Sequence, residues 1–247
     1  MGSKADTRPI GLSRVPSTVI RLMAASFRLM TANLLMTRCD TADLTRVLDQ
    51  VDPDIVVTQE LAPTCAEVIA GRMPNHRLRP SFGFVGRGIA TRFEAEFGEI
   101  DMPCRPGTSA IVDVHGSVLR LAGVHFLNPI QFPWWDMVRD RGRQLEGLFE
   151  WLEWGGDEPV VVAGDFNASP RWPAYKQTTS RLTDLVAELA EREGERPERT
   201  WAWRPGWPRM LRIDHVFGRR VSAVDVAVMP IRGTDHHAVV ADIEIDG

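Results

Sequence analysis

Asp165 and Asn167 stand two residues apart in Gly164-Asp165-Phe166-Asn167-Ala168-Ser169-Pro170, directly behind the apolar run Pro159-Val160-Val161-Val162-Ala163. Alternation along an extended chain sends side chains at that spacing toward the same side, so a short buried strand would deliver a carboxylate and an amide together to its C-terminal rim. A carboxylate can orient or deprotonate water while a neutral amide donates hydrogen bonds to a phosphate oxygen, a combination suited to phosphoryl chemistry. Taken alone, Asp-x-Asn also serves turns and helix caps.

Further polar clusters repeat the arrangement. Asn33 follows the strand-like run Phe27 to Ala32, Gln59-Glu60 follows Asp54 to Thr58, and His125 follows Leu119 to Val124. Ile213-Asp214-His215 leads into Val216-Phe217, and Thr234-Asp235-His236-His237 precedes a closing strand, Ala238 to Ile243. Glu60 reads as a metal ligand from its position alone, because a carboxylate at the end of a Val-rich buried strand is costly unless a cation or partner meets it. Oxygen ligands with room for water favour Mg²⁺ or Mn²⁺ over zinc.

In this order along the chain, Asn33, Gln59-Glu60, His125, Gly164-Asp165-x-Asn167, Ile213-Asp214 and Asp235-His236 resemble the endonuclease/exonuclease/phosphatase superfamily, metal-dependent phosphodiesterases and phosphatases related to pancreatic DNase I. The likeness runs from about residue 27 to the chain end. It implies an α/β fold, the four-layered α/β/β/α sandwich of DNase I-like proteins, with the polar strand ends gathered at one mouth. It also implies that Asn33 and Asp235 complete the metal environment of Glu60, and that Asp214 and His236 form a carboxylate–imidazole pair beside the scissile phosphate. Asn167 would then hydrogen-bond the transition state, and Asp165 and His236 are both eligible to take the proton of water. His125 departs from the DNA-repair branch, which carries Tyr there, and agrees with the DNase-like and sphingomyelinase-like branches. Asn128 resembles a phosphate contact. His215 and His237 each lie one residue from a matched position and should face the opposite way.

The elements that must position these groups are legible in part. Asp40 or Thr41 can cap a helix with Leu44, Val47, Leu48 and Val51 on one face, ended by Asp52-Pro53. A second helix is expected over Thr64 to Arg72. Short strands follow at Gly88 to Arg92, Ser109 to His115 and Val118 to Phe126, the last two joined in a hairpin at Gly116-Ser117. Trp135 to Trp154 returns to helical spacing, predicting Val138, Leu145, Leu148, Phe149 and Leu152 inward and Arg139, Arg143, Glu146 and Glu150 outward.

With 247 residues, 44% of them hydrophobic, the chain can bury a full core, and residues 26–247 read as one domain behind a poorly ordered arm at residues 1–25. The net charge of −4 gives no global pull toward a polyanion, which argues against tight non-specific DNA binding. Lys4 and Lys176 are the only lysines among 29 basic residues, and the arginines that make up the rest are the better bidentate phosphate ligands. Cys39, Cys65 and Cys104 are too scattered for a disulfide framework or a zinc site and read as reduced, mostly buried thiols. No run reaches the roughly 18 apolar residues of a membrane span, and Arg14, Arg21 and Arg28 interrupt any secretory signal, so a cytoplasmic protein is expected.

Eight Trp against one Tyr is an unusual balance, and Trp201, Trp203 and Trp207 fall in one Arg-rich stretch just before Asp214. Trp201 is expected to cap the sheet core, while Trp203 and Trp207 are candidates for substrate binding, with Trp134 and Trp135 as a facing wall. Trp with Arg can stack nucleic-acid bases or bed into a lipid interface. The sequence therefore supports a Mg²⁺-dependent phosphodiesterase for nucleic acid or a nucleotide, with a phospholipid or sphingolipid headgroup hydrolase as the alternative. A non-catalytic binding module is the third reading, disfavoured by the intact polar set.

Overall fold

A computed structural model describes residues 25–129 and 134–246. The expected N-terminal arm, Ala25 excepted, lies outside the described residues. In chain order the elements are β1 (Ser26–Met36), α1 (Thr41–Val51), β2 (Ile55–Leu61), α2 (Pro63–Ala70), β3 (Asn75–Arg79), β4 (Arg87–Thr91), β5 (Ala95–Ile100), β6 (Gly107–Val114), β7 (Ser117–His125), α3 (Trp134–Trp154), β8 (Val160–Asp165), α4 (Pro173–Thr179), β9 (Thr183–Asp184), α5 (Leu185–Glu193), β10 (Asp214–Arg219), β11 (Val221–Pro230) and β12 (His237–Ile245). They build two six-stranded sheets, ordered β11-β12-β1-β2-β4-β3 and β5-β6-β7-β8-β10-β9.

Three apolar layers account for the stacking. Phe27, Leu29, Ile55, Val57 and Ile89 of the first sheet meet Val112, Leu121, Val161, Ala163 and Val216 of the second. On its other face the first sheet packs Met30, Val56 and Ala90 against Leu44, Val47, Leu48 and Ile69 of α1 and α2. The second sheet does the same with Val124, Val162 and Phe217 against Leu145, Leu148 and Leu152 of α3 and Ala174 of α4. Strands buried on both faces read as continuous apolar runs, as β2 and β8 do. Each Val, Leu or Ile so removed from water contributes about 1.5–3 kcal/mol before conformational entropy is counted. The result is the four-layered α/β/β/α sandwich. The sheets approach so closely at Gly123 that a Cβ there would stand 2.7 Å from Cγ1 of Val57.

The parallel pairs β1/β2 and β7/β8 bring four C-terminal strand ends together, and β10 and β12, antiparallel to their neighbours, start at the same rim. Register then does the fine placement: His125 and Asp214 are both opposite Asp165, and Asn33 is opposite Gln59.

Asp40 caps α1 as expected, accepting from the amides of Ala42 and Asp43, and the helix ends at Asp52 in a left-handed conformation. Three local expectations need correction. The β6–β7 hairpin turns at His115-Gly116, one residue early, because both take positive φ (53° and 89°), the pairing that matches strand twist. Val138 points outward, 62% exposed, because α3 turns Met137, Arg141, Gln144 and Leu145 inward instead. Arg141 and Gln144 are buried despite their polarity because each is hydrogen-bonded to backbone: Arg141 donates to the Leu127 carbonyl, and Gln144 accepts from the Leu127 amide at 2.9 Å. Trp201 does not cap the core; it is half-buried on the wall of the rim cavity, where its indole N–H finds a carboxylate. No helix among the described residues is long and apolar enough to cross a membrane.

Candidate active site

At the rim where the six strands meet lies a cavity of about 400 Å³, lined by Glu60, His125, Asn128, Asp165, Asn167, Asp235 and His236 among polar groups and by Phe84, Trp172, Trp201 and Trp203 among aromatic ones. Two sequence candidates, Asn33 and Asp214, sit just behind this wall, both buried. Trp207 does not line the cavity; it stands 53% exposed on the same loop as Trp203, with the Arg204 guanidinium 5.5 Å from its ring centre. Trp135 is exposed at the start of α3, and the Trp134 side chain lies outside the described residues.

The backbone that presents these groups is unusual. Glu60 and Asn167 both take left-handed φ, 50° and 45°, as do Leu35 and Met36, where β1 shifts register beside β2. Such conformations in non-glycine residues persist where surrounding contacts over-determine them, and they collect at functional sites. Gly164 is required for a different reason: a Cβ there would lie 2.0 Å from the Val124 carbonyl oxygen, so only glycine lets β8 carry Asp165 this close to β7.

Asp165 is the hub. Its Oδ2 accepts from Nδ2 of Asn33 at 3.1 Å and Nδ2 of Asn167 at 3.0 Å, and its Oδ1 accepts from the Asn167 amide at 2.8 Å. Nε2 of His125 lies 3.5 Å away and Nε2 of His236 lies 3.8 Å away. Burial pushes the Asp165 carboxyl up to about 7, with the Asp214 charge adding to the rise and His236 opposing it. His236 places Nδ1 at 2.9 and 3.1 Å from the two carboxylate oxygens of Asp214. Its burial works against a charge, yet Asp214 and Asp165 outweigh that and raise the imidazole to about 10. Asp214 is itself set by Thr200, whose hydroxyl oxygen accepts from the amides of Ile213 and Asp214, both at 3.2 Å.

On the first-sheet side, Nδ2 of Asn33 donates to Oε1 of Glu60 at 3.3 Å. Oε2 of Glu60 and Oδ1 of Asp235 are buried and have no hydrogen-bond partner among the described residues. Two unsatisfied carboxylate oxygens at one cavity are what an oxygen-ligated divalent cation would satisfy, so the donor set fits Mg²⁺ or Mn²⁺. Burial raises Glu60 above its ordinary value, the direction expected of a carboxylate in want of a cation. A second grouping, Asp165, Asp214 and His236, also brings three ligand atoms within 4.8 Å of one another.

Sequence reasoning missed Arg105. It is buried beside His125, donates to Nε2 of that ring and, at 3.1 Å, to the Phe126 carbonyl, and lines the cavity without a carboxylate in hydrogen-bond contact among the described residues. An N–H aimed at Nε2 makes that nitrogen an acceptor, and burial with the Arg105 charge holds His125 well below its ordinary value, hence neutral. Nothing in Cys104-Arg105-Pro106-Gly107 signals this, because the residue lies before a strand and outside any apolar period. His215 and His237 turn away from the cavity as expected, His215 fully buried behind β10.

The chain matches the Endonuclease/Exonuclease/phosphatase family over residues 30–236 and belongs to it. No curated protein matches it by sequence. Among solved structures, a humanized D. rerio TDP2 carrying 14 mutations is similar at TM-score 0.69 and 19% identity, covering 90% of this chain and 100% of that one. The human Nocturnin catalytic domain with bound sulfate is similar at TM-score 0.68 and 18% identity, covering 90% and 96%. D. rerio TDP2 complexed with a single-strand DNA product is similar at 0.68 and 18%, covering 89% and 99%. At these identities the likeness is one of fold.

Proposed function

We propose that the chain is a divalent-metal-dependent phosphodiesterase that acts on nucleic acid or a nucleotide by in-line attack of water on phosphorus. The observation that carries this is the convergence on one cavity of a buried, raised carboxyl (Asp165), a carboxylate-held imidazolium (His236 on Asp214) and two carboxylate oxygens, of Glu60 and Asp235, without a hydrogen-bond partner among the described residues. Glu60 and Asp235 would hold Mg²⁺ or Mn²⁺, with Asn33 orienting Glu60; when bound, the cation supplies charge neutralisation on the leaving and non-bridging oxygens.

Asp165 takes the proton of water. Its carboxyl, pushed up to about 7, is matched to proton transfer near neutral pH, and Asn33 and Asn167 fix its oxygens. His236 keeps its proton and faces the charge that grows on phosphorus-bound oxygens. Asn167 can turn one amide hydrogen to the same oxygens, because the Phe126 carbonyl it now contacts at 3.0 Å keeps Arg105 as a donor. Arg105 offers a further charged donor to phosphate, neutral His125 steadies that guanidinium by accepting at Nε2, and Asn128 borders them.

The single-strand DNA bound by the similar D. rerio TDP2 supports the nucleic-acid reading, as does the aromatic wall of Phe84, Trp172 and Trp203, which suits stacking of an unpaired base. A lipid-headgroup substrate is the second reading. It is favoured by the exposure of Phe82, Phe84, Val85, Trp203, Trp207 and Met210 on the β3–β4 loop and the loop before β10, because exposed Val and Met offer hydrocarbon rather than a stacking face. A screen in Mg²⁺ and Mn²⁺ against single- and double-stranded oligonucleotides, nucleotides and phospholipid vesicles tests the choice. Turnover confined to oligonucleotides or nucleotides is expected, and turnover confined to phospholipid overturns it.

A further inference from the structure

The turn that carries Asp165 and Asn167 has a support that none of the groups facing the cavity supplies. The carbonyls of Phe166 and Ala168 bracket Asn167, whose φ of 45° lies in the left-handed region. Neither carbonyl is left to water. Nη2 of Arg141, from α3, donates to the Phe166 carbonyl at 3.2 Å, and Nε2 of His215, from β10, donates to the Ala168 carbonyl at 2.8 Å. Both donors are buried, His215 completely.

We propose that His215 and Arg141 are positioning residues that clamp the Asp165–Ala168 turn from behind the cavity and so hold Asn167 and Asp165 in reacting geometry; this rests on the reading of those two as reacting groups. Each donor is fixed in turn by its own buried support. The His215 ring is stacked on Phe217 at 5.2 Å and meets Phe166 edge-on at 5.8 Å, with Tyr175 tilted against it at 5.0 Å. Its Nδ1 lies 3.5 Å from Oδ2 of Asp184 without a hydrogen bond among the described residues, and that carboxylate is held by Arg212 at 2.8 Å, the Tyr175 hydroxyl at 2.8 Å and the Ala187 amide at 3.0 Å. A line of contacts therefore runs from the N-terminus of α5 through Asp184 and His215 to the residue after Asn167. Arg141 reaches the Leu127 carbonyl with its other nitrogen, so one guanidinium ties the turn to the segment that follows His125. Its planar fork spans two carbonyls, which a lysine ammonium on a longer stem does not reproduce.

A buried donor that merely filled a hydrogen-bond requirement would affect folding and leave the turnover of folded protein alone. A clamp on a left-handed turn acts on turnover, because a displacement of about 1 Å at a reacting group can cost about a hundredfold in rate.

The test compares His215→Phe, which keeps a ring among Phe166, Tyr175 and Phe217 but loses the N–H, with His215→Gln, which keeps a donor near Nε2. Arg141→Lys is the second probe, should the Phe variant not fold. For each folded variant, kcat and KM on a nitrophenyl phosphodiester in Mn²⁺, the Mn²⁺ affinity and the exchange rate of the Asn167 backbone amide are measured. We expect kcat to fall about tenfold or more in His215→Phe and Arg141→Lys, with KM and Mn²⁺ affinity within about threefold. His215→Gln should recover most of the loss, and the Asn167 amide should exchange faster in the Phe and Lys variants. Wild-type kcat in a folded His215→Phe or Arg141→Lys, or a His215→Gln as impaired as the Phe variant, overturns the clamp. If the wild-type protein hydrolyses no phosphodiester, the enzymatic reading fails on its own, and unchanged Asn167 exchange in both variants still overturns the clamp.

Discussion

Glu60 is held in a left-handed conformation at the end of a strand whose every residue is buried, with one carboxylate oxygen on Asn33 and the other without a hydrogen-bond partner among the described residues. Glu60→Gln keeps the shape and removes the charge that a cation needs. Calorimetric titration with Mg²⁺ or Mn²⁺ should show affinity weakened by more than the roughly 10–100-fold that loss of a group behind a metal ligand costs, while the thermal midpoint holds or rises, since a buried charge is relieved. Unchanged affinity would move the ion elsewhere, the Asp165, Asp214 and His236 grouping being the next candidate. In the proposed mechanism Asp165 and His236 serve one transition state, so single alanine changes should each cost on the order of a hundredfold or more in kcat. The double variant Asp165→Ala/His236→Ala should cost much less than the product of the two. A loss equal to that product would mean independent roles. Residues of this kind were legible in the sequence because each stands at one end of an apolar strand, Glu60 and Asp165 at C-terminal ends and His236 just before β12. Arg105, Arg141 and His215 were not, since their importance lies in contacts made across about twenty or more positions of chain, and Arg141 in a helix looks like any solvent-facing arginine.

Among the elements, the loop before β10 should govern substrate preference rather than chemistry. Trp203, 56% exposed, lines the cavity, and Trp207 stands beside it outside the wall, while neither supplies an acid, a base or a metal ligand. Trp203→Ala should raise KM for the preferred substrate, up to the loss of about 1–3 kcal/mol that a stacked base is worth, with kcat on a small nitrophenyl diester within a few fold. Trp207→Ala should act only on longer substrates or vesicles. Loss of oligonucleotide binding supports the nucleic-acid reading, whereas loss confined to vesicle binding transfers the substrate to lipid. Asp184, which caps α5 and grips Arg212, gives a prediction about acid stability. Burial alone would raise its carboxyl, but His215, Arg212 and the Ala187 amide reverse that and hold it well below its ordinary 3.8. A depressed folded-state value stabilises the fold above 3.8, and the contribution is lost as pH falls below it. Asp184→Asn should therefore cost about 3–5 kcal/mol near neutral pH, where it leaves Arg212 unpaired, and the gap to wild type in urea midpoints should narrow on the acid side of 3.8. A gap independent of pH would contradict it.

At the scale of the whole molecule, the architecture places four C-terminal and two N-terminal strand ends at one rim, so residues far apart in the chain share one cavity. The strands carrying long Val-rich runs were readable from sequence alone. The pairing of two sheets was not: β3, β5, β9 and β11 are short, half-exposed or irregular, and their apolar period is weak. The family resemblance supplied the layering that spacing could not. The packing explains why it holds, since Phe27, Ile55, Val57, Val112, Leu121 and Val161 leave no face of either sheet to water between them. In the proposed function this rim hydrolyses phosphodiesters with a divalent cation and with Asp165 as the base. Steady-state hydrolysis of a nitrophenyl phosphodiester by wild type and Asp165→Asn, in Mg²⁺ or Mn²⁺ and after chelation, tests it most directly. Turnover should vanish on chelation and fall about a hundredfold or more in Asp165→Asn; a folded wild-type protein inert toward phosphodiesters in both metals, or an Asp165→Asn variant with the wild-type rate, would rule out this chemistry at the rim.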